Sequence, residues 1–202
     1  GWYRMLRNPK VQLVDEHVSK VESTSLVTEN GEEYEADVLL LATGFDVLNF
    51  ITTYEAKGRS GASLMSQWEN DNAKAYLGTA VPNFPNFFTL YGPNLQPGHG
   101  GSLIFVVEMQ VRYIMDVIQK MLEQNLGAVE IRQEIHDSYN EDVDRAHAKM
   151  VWTHPGMESY YRNDGGRIVV NSPWRNVDFY SMTREADLNE YLTEPIPDLV
   201  AD

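Results

Sequence analysis

The chain has 202 residues, 43% apolar and 23% charged, with 16 basic residues against 30 acidic ones and a net charge of −14. Those proportions belong to a globular chain with a packed core, and so acidic a surface weighs against nucleic acid and membrane surfaces as partners, because it repels phosphate backbones and anionic headgroups. With no cysteine, disulfide scaffolds, thiolate metal sites and cysteine nucleophiles are all ruled out, and a reducing, cytoplasmic setting is expected.

The opening Gly1-Trp2-Tyr3-Arg4-Met5 has no apolar run behind it and is not a signal peptide. A start on Gly, with Met at position 5, reads as an excised piece. Residues 11–46 are expected to be β-structure. VQLV (11–14), SKVE and TSLVTENG form a meander, and Glu29-Asn30-Gly31-Glu32 marks a turn. The run from Val38 to Ala42 is continuously apolar and β-prone, which predicts a strand buried on both faces, as in a parallel sheet. Residues 47–75 are mixed and predict an irregular excursion.

Residues 76–127 are expected to form a strand, a loop and a helix. Phe87 to Tyr91 (FFTLY) is a second buried-strand candidate, and a Pro/Gly-rich loop follows it. Ser102 is placed to cap a long helix with Val107, Val111, Ile114, Ile118 and Met121 or Leu122 on its apolar face and Gly127 past its end. In 128–202 a second helix covers about 134–150, with Ile135, Tyr139, Val143, Ala146 and Met150 on one face. An aromatic-rich irregular segment with short strands such as RIVVN follows.

Three segments could carry chemistry. In Asp37–Asp46 (DVLLLATGFD), Thr43 offers a hydroxyl and Gly44 lets backbone come close to a ligand, and in open α/β sheets ligands bind beyond the strand ends; an ordinary turn fits the same residues. Tyr76–Ser102 would aim backbone N–H groups and a helix dipole at one ligand. It is not a dinucleotide fingerprint, because Leu103 stands where a third glycine is needed. The tail from Met150 to Thr183 holds most of the remaining aromatics, and core packing accounts for most of them. His154 reads as a hydrogen-bonded loop residue. Asp137, Glu141, Asp142 and Asp144 read as a solvated helix face. No metal site is expected, since His136 and His147 are not at helical i,i+4 spacing.

Three strings, in this order, carry a resemblance. DVLLLATGF resembles the second ATG motif of two-dinucleotide-binding flavoproteins. FPNFFTLYGPN followed by GHGGS resembles the stretch beside the isoalloxazine in Baeyer–Villiger monooxygenases, the latter part most like the 4-hydroxyacetophenone subgroup. The tail resembles the C-terminal segment of the same enzymes, with Tyr160 where many relatives have a Trp that meets the nicotinamide cofactor. The resemblance implies an α/β fold, a partial FAD/NAD(P)-binding Rossmann-like domain of meander, parallel strands and one long helix. It divides the chain into a meander and return strand (1–46), an excursion (47–75), a flavin-side strand-loop-helix (76–127) and a C-terminal cover (128–202).

It also implies FAD and NADPH as cofactors, O2 and a small ketone or heteroatom compound as substrates, and oxygen insertion through a flavin C4a-peroxide. Gly92, Pro93 and Asn94 would shape the turn beside the flavin. Gly100, Gly101 and Ser102 would offer N–H groups to it, Thr43 and Gly44 would sit at the nicotinamide-domain junction, and Tyr160 and Trp152 would line the substrate and NADPH side. No residue of the chain matches a catalytic group, and no phosphate-binding fingerprint occurs, so the piece alone is expected to be inactive and to self-associate through exposed apolar surface. Heteroatom oxygenation and a non-catalytic acidic interaction domain are the alternatives.

Overall fold

A computed structural model describes residues 1–51, 53–98, 100–157 and 159–197, and the chain divides into two units, Gly1–Phe45 and Asp46–Asp202.

The first unit opens with a short exposed helix, α1 (Trp2–Leu6). Three strands follow, β1 (Val18–Val21), β2 (Ser25–Thr28) and β3 (Glu33–Glu35), in an antiparallel meander with Val21 opposite Leu26 and Leu26 opposite Tyr34. The turn between β2 and β3 falls at the Asn-Gly signal. Asn30 Oδ1 accepts from Thr28 Oγ1 and the Glu32 N–H, and Gly31 takes a φ of +86°. VQLV forms no strand.

Nor does Val38–Ala42, the expected buried parallel strand. Val38, Leu40 and Leu41 are 75, 85 and 79% exposed. A central parallel strand needs hydrogen-bonding neighbours along both edges and layers on both faces. This unit supplies only the meander, whose last strand ends at Glu35, and none of its strands pairs with 38–41. Both sheets of the described chain are antiparallel, so the parallel-strand expectation is corrected throughout.

The second unit holds α2 (Leu64–Gln67), α3 (Leu103–Glu123), β4 (Leu126–Ile131), α4 (Gln133–His147), α5 (Asn176–Met182) and β5 (Tyr191–Pro195), with 3-10 turns at Val151–Thr153 and Leu188–Glu190. Ser102 caps α3 as its sequence predicts, its Oγ accepting from the Phe105 N–H. The buried face is shifted one residue from the expected one. It consists of Val106, Met109, Gln110, Tyr113 and Val117, while Val111 is exposed. A polar Gln110 hides that face from a hydrophobicity count.

Gly127 lies past the end of α3 but already inside β4, and Asn125, at φ 54°, makes the left-handed turn after the helix; β4 pairs with β5 so that Ile131 faces Tyr191. FFTLY is no strand; it makes one isolated bridge, Ala80 with Phe88. Left-handed φ angles at Asn83, Asn86 and Tyr91 bend the chain repeatedly and prevent a continuous extended run. RIVVN also forms no named strand, although its backbone pairs locally with the loop at 94–96.

The core gathers Leu77, Leu95, Met109, Tyr113, Val117, Val129, Ile131, Phe179 and Tyr191 between α3, the β4–β5 ribbon and α5. The buried pair Tyr113 and Tyr191 shares a hydroxyl hydrogen bond of 2.8 Å, which satisfies two polar groups that would otherwise be costly to bury. A second cluster, centred on Leu64, Trp68, Val81 and Phe84, organises the excursion. Among the described residues, no helix is long and apolar enough to cross a membrane.

Candidate functional site

The loop from Thr89 to Ser102 is held from beneath by one buried amide. Gln110 of α3 accepts from the Tyr91 N–H at 2.8 Å and donates to Gly78 O, Thr79 Oγ1 and Thr89 O at 3.1, 2.7 and 3.2 Å. That grip fixes Tyr91 in the left-handed region (φ 52°) and sets up the turn into Gly92. A methyl group on Gly92 would lie 2.3 Å from Gly78 O and 2.7 Å from Thr89 Oγ1, so this position is glycine because backbone passes against it. Gly92 and Pro93 form one wall of a cleft of about 320 Å³ with Phe50, Ile51, Tyr54, Trp68, Phe88 and Leu90, and no charged side chain lines it.

Asn94 turns away from that cleft. It is buried, its Nδ2 donates to Ile168 O at 2.8 Å and Asn171 O at 3.2 Å, and its Oδ1 accepts from Arg167 Nη2 at 3.2 Å. Backbone bonds from Asn94 N to Val169 O, Gln96 N to Val170 O and Ser172 N to Gln96 O lay the loop alongside 169–172. Arg167 also donates to Ala73 O and Asn140 Oδ1 and pairs with Asp144 at 2.8 Å. Asn94 is therefore tied to the excursion, to α4 and to the C-terminal segment at once.

His147, at the end of α4, packs against the same amide. Its Nε2 lies 3.3 Å from Asn94 Nδ2, and its Nδ1 accepts from Trp152 Nε1 at 2.9 Å. Burial first, and the Arg167 charge second, hold its pKa down to about 4, so the ring is neutral at pH 7. With Nδ1 accepting, the proton sits on Nε2. The Trp152 indole is thus turned into the core.

Gly100 and Gly101 have φ of +101° and +118°, and both are exposed. Nothing lies within 4 Å of where a Gly100 side chain would begin, whereas a methyl on Gly101 would meet Asn176 Nδ2 at 2.5 Å. They lead directly into Ser102 and the first turn of a 21-residue helix, where the Leu103 and Ile104 N–H groups have no partner within the helix. Open backbone and a positive helix end are what an electron-rich heterocycle edge or an anion requires. Leu103, Ile104 and Phe105 beside it are exposed apolar side chains suited to a flat ring system.

Thr43 and Gly44 lie in the first unit, exposed, with Gly44 at φ +81° and open space around it. Tyr160 is exposed, and its ring sits 4.4 Å from that of Tyr161. The structure thus brings Asn94 and Trp152 together on His147 and leaves Tyr160 outside that network.

The expected acidic face of α4 is exposed at Asp137, Glu141, Asp142 and Asp144. Among the described residues no three His, Asp or Glu are arranged to hold a metal. Arg167, His147 and the gripping role of Gln110 were not anticipated; for Gln110 and His147 the available signal was a polar residue at a buried helical position, and Arg167, outside any helix, offered none.

No protein-family model matches the chain. It is 46% identical over 195 residues to an uncharacterized monooxygenase of Sinorhizobium fredii, covering 96% of this chain and 30% of that protein. It is 30% identical over 192 residues to a Baeyer–Villiger monooxygenase of Pseudomonas aeruginosa, covering 95% and 36%. A closed crystal structure of cyclohexanone monooxygenase superposes with a TM-score of 0.77 at 25% identity, over 97% of this chain and 38% of that one. A steroid monooxygenase bound to NADP shares the fold, with a TM-score of 0.78 at 23% identity. Over nearly its whole length the chain is therefore homologous to the Baeyer–Villiger and FAD-binding monooxygenases, and it spans about a third of the length of these relatives.

Proposed function

We propose that this chain forms the flavin-side shell of an FAD- and NADPH-dependent monooxygenase that inserts one oxygen atom of O2 into a ketone. The observation that carries the reading is the open Gly100-Gly101-Ser102 backbone at the start of α3, in a chain homologous to named Baeyer–Villiger monooxygenases. FAD, reduced by NADPH, supplies the oxygen-activating chemistry when bound.

The chain's own residues position and enclose. Gly100, Gly101, Ser102 and the first-turn N–H groups bind the electron-rich edge of the flavin, with the dipole of α3 favouring negative charge there. Gly92 and Pro93 wall the uncharged cleft, which excludes water and accepts a neutral acceptor molecule. Thr43 and Gly44 serve at the junction with the nicotinamide-binding part. Tyr160 meets substrate or NADPH, and Trp152 acts through His147: by donating to Nδ1 it orients the ring towards the Asn171 backbone, which Asn94 also holds. Catalytic groups are supplied by sequence outside this chain, and the piece alone is inactive. A cleft without charge also admits a thioether, so sulfur oxygenation is the second reading.

The test is to purify the chain by itself and joined to its adjoining coding sequence. The joined protein should be yellow, consume O2 with NADPH and convert a ketone to an ester, while the chain alone should be colourless. A colourless joined protein, or one that oxygenates thioethers but not ketones, sinks the ketone reading.

A further inference from the structure

Trp174, Tyr139 and Tyr76, each half-buried, stand in line through the second unit, and the line ends on a carboxylate. Trp174 Nε1 donates to the Tyr139 hydroxyl at 3.1 Å, with the ring centroids 6.3 Å apart. Tyr139, on α4, meets Tyr76 edge to face at 5.3 Å. The Tyr76 hydroxyl donates to Glu190 Oε2 at 2.7 Å. Burial, and then that carboxylate, raise the Tyr76 pKa above the ordinary phenol value, so the proton is on Tyr76 at neutral pH. The Trp174 end of the line lies two residues before Asn176, whose amide stands against Gly101.

Packing alone does not call for these side chains. Phe fills the space of Tyr without a hydroxyl that must find a partner inside the protein. What Trp and Tyr add is a ring that gives up one electron readily, and rings in contact pass it on. A phenol gives up its electron easily only when a base takes its proton at the same moment, because the oxidised phenol is a strong acid. Among the described residues of this core, Tyr76 has a carboxylate on its hydroxyl, the Tyr139 hydroxyl accepts from Trp174, and Tyr113 and Tyr191 hold each other. An oxidising equivalent entering at Trp174 therefore comes to rest on Tyr76.

We propose that Trp174, Tyr139 and Tyr76 form a one-electron relay that carries an oxidising equivalent from Trp174 to Tyr76, beside Glu190. A one-electron oxidant first removes an electron from Trp174. Tyr76 then returns one electron to the tryptophan radical cation by way of Tyr139, its O–H bond breaks, and the proton passes to Glu190. The products are reduced Trp174, a neutral Tyr76 phenoxyl radical and a Glu190 carboxylic acid. The relay stands on its own geometry; its use as protection, draining stray oxidants from beside Gly101, rests on the proposed oxygenation.

The chain has no cysteine, so Val177→Cys, exposed on α5 three residues from Trp174, takes a single tethered ruthenium-polypyridyl photo-oxidant. Tyr34→Phe and Tyr180→Phe accompany it in every protein, the first removing another tyrosine that donates to a carboxylate, Glu32, and the second an exposed ring on α5. A flash with a sacrificial electron acceptor should give a tryptophanyl radical that decays into a tyrosyl radical, more slowly in D2O, as read by transient absorption and electron paramagnetic resonance. Tyr76→Phe should abolish the tyrosyl signal and leave the tryptophanyl radical long-lived. Glu190→Gln keeps an acceptor at the hydroxyl but not a base, and should lose the tyrosyl signal with every ring still in place. Trp174→Phe should lose both signals. A tyrosyl radical that survives Tyr76→Phe or Glu190→Gln, a tryptophanyl radical that survives Trp174→Phe, equal rates in D2O, or no radical in the labelled starting protein would each overturn the relay.

Discussion

Arg167 Nη2 donates to Asn94 Oδ1 at 3.2 Å, and through that bond a buried guanidinium near the C-terminus sets the loop that leads to α3. Its other bonds, to Ala73 O in the excursion and to Asn140 Oδ1 and Asp144 of α4, tie two further segments to the same point. Arg167→Met would strand Asn94 Oδ1, Asn140 Oδ1 and Ala73 O in the interior, while the exposed Asp144 turns to water. It should cost at least about 1–3 kcal/mol, the range for a buried acceptor left without its donor. Arg167→Lys keeps the pairing with Asp144 but does not span the fork, and should recover only part of the loss. Chemical denaturation of the three proteins measures both.

His147 makes stability depend on pH in a definite window. Its folded pKa of about 4 lies below the unfolded value of 6.5, so between those values the unfolded chain binds the extra proton. Stability from this group is full above pH 6.5 and is lost as pH falls towards 4, with a slope approaching about 1.4 kcal/mol per pH unit. His147→Gln should flatten the slope between pH 6.5 and 4.5 in urea unfolding. An unchanged slope would show that the ring is charged in the folded state.

Gly92→Ala places a methyl 2.3 Å from Gly78 O. Backbone does not yield cheaply, so a loss of about 1–3 kcal/mol is expected. Gly100→Ala meets no atom but forces a side chain to adopt φ +101°, at a cost of about 1 kcal/mol. If Gly100 faces a ligand, flavin retention in the complete enzyme should fall more than this stability change explains.

Tyr113→Phe removes one hydroxyl from the buried pair and leaves Tyr191 without its partner. A loss of about 1–3 kcal/mol should appear in thermal or urea unfolding. Replacing both tyrosines by Phe should cost less than twice the single change, since no stranded group then remains.

Local rules sufficed wherever a feature is made by neighbours in sequence. Ser102 capping α3, the Asn30-Gly31 turn of the meander and the solvated acidic face of α4 each depend on residues within one or two turns of chain. The motif order from Thr43 to Tyr160 also carried the family resemblance, because a motif is itself a local string. Features built from distant residues were not legible. Val38–Leu41 has the composition of a central strand, yet pairing is a property of two segments, and among the described residues no strand pairs with it. The β4–β5 ribbon joins residues from Ile131 with Tyr191 to Leu126 with Pro195, 60 to 69 positions apart. Asn94 read as a residue that shapes a turn, and its φ of 58° fits one, but that the fold also spends its amide on Arg167, Ile168 and Asn171 was not legible. Sequence determined where the chain turns and caps and which family it resembles; tertiary structure alone decided which polar side chains are buried, because burial is set by packing partners that no local pattern names.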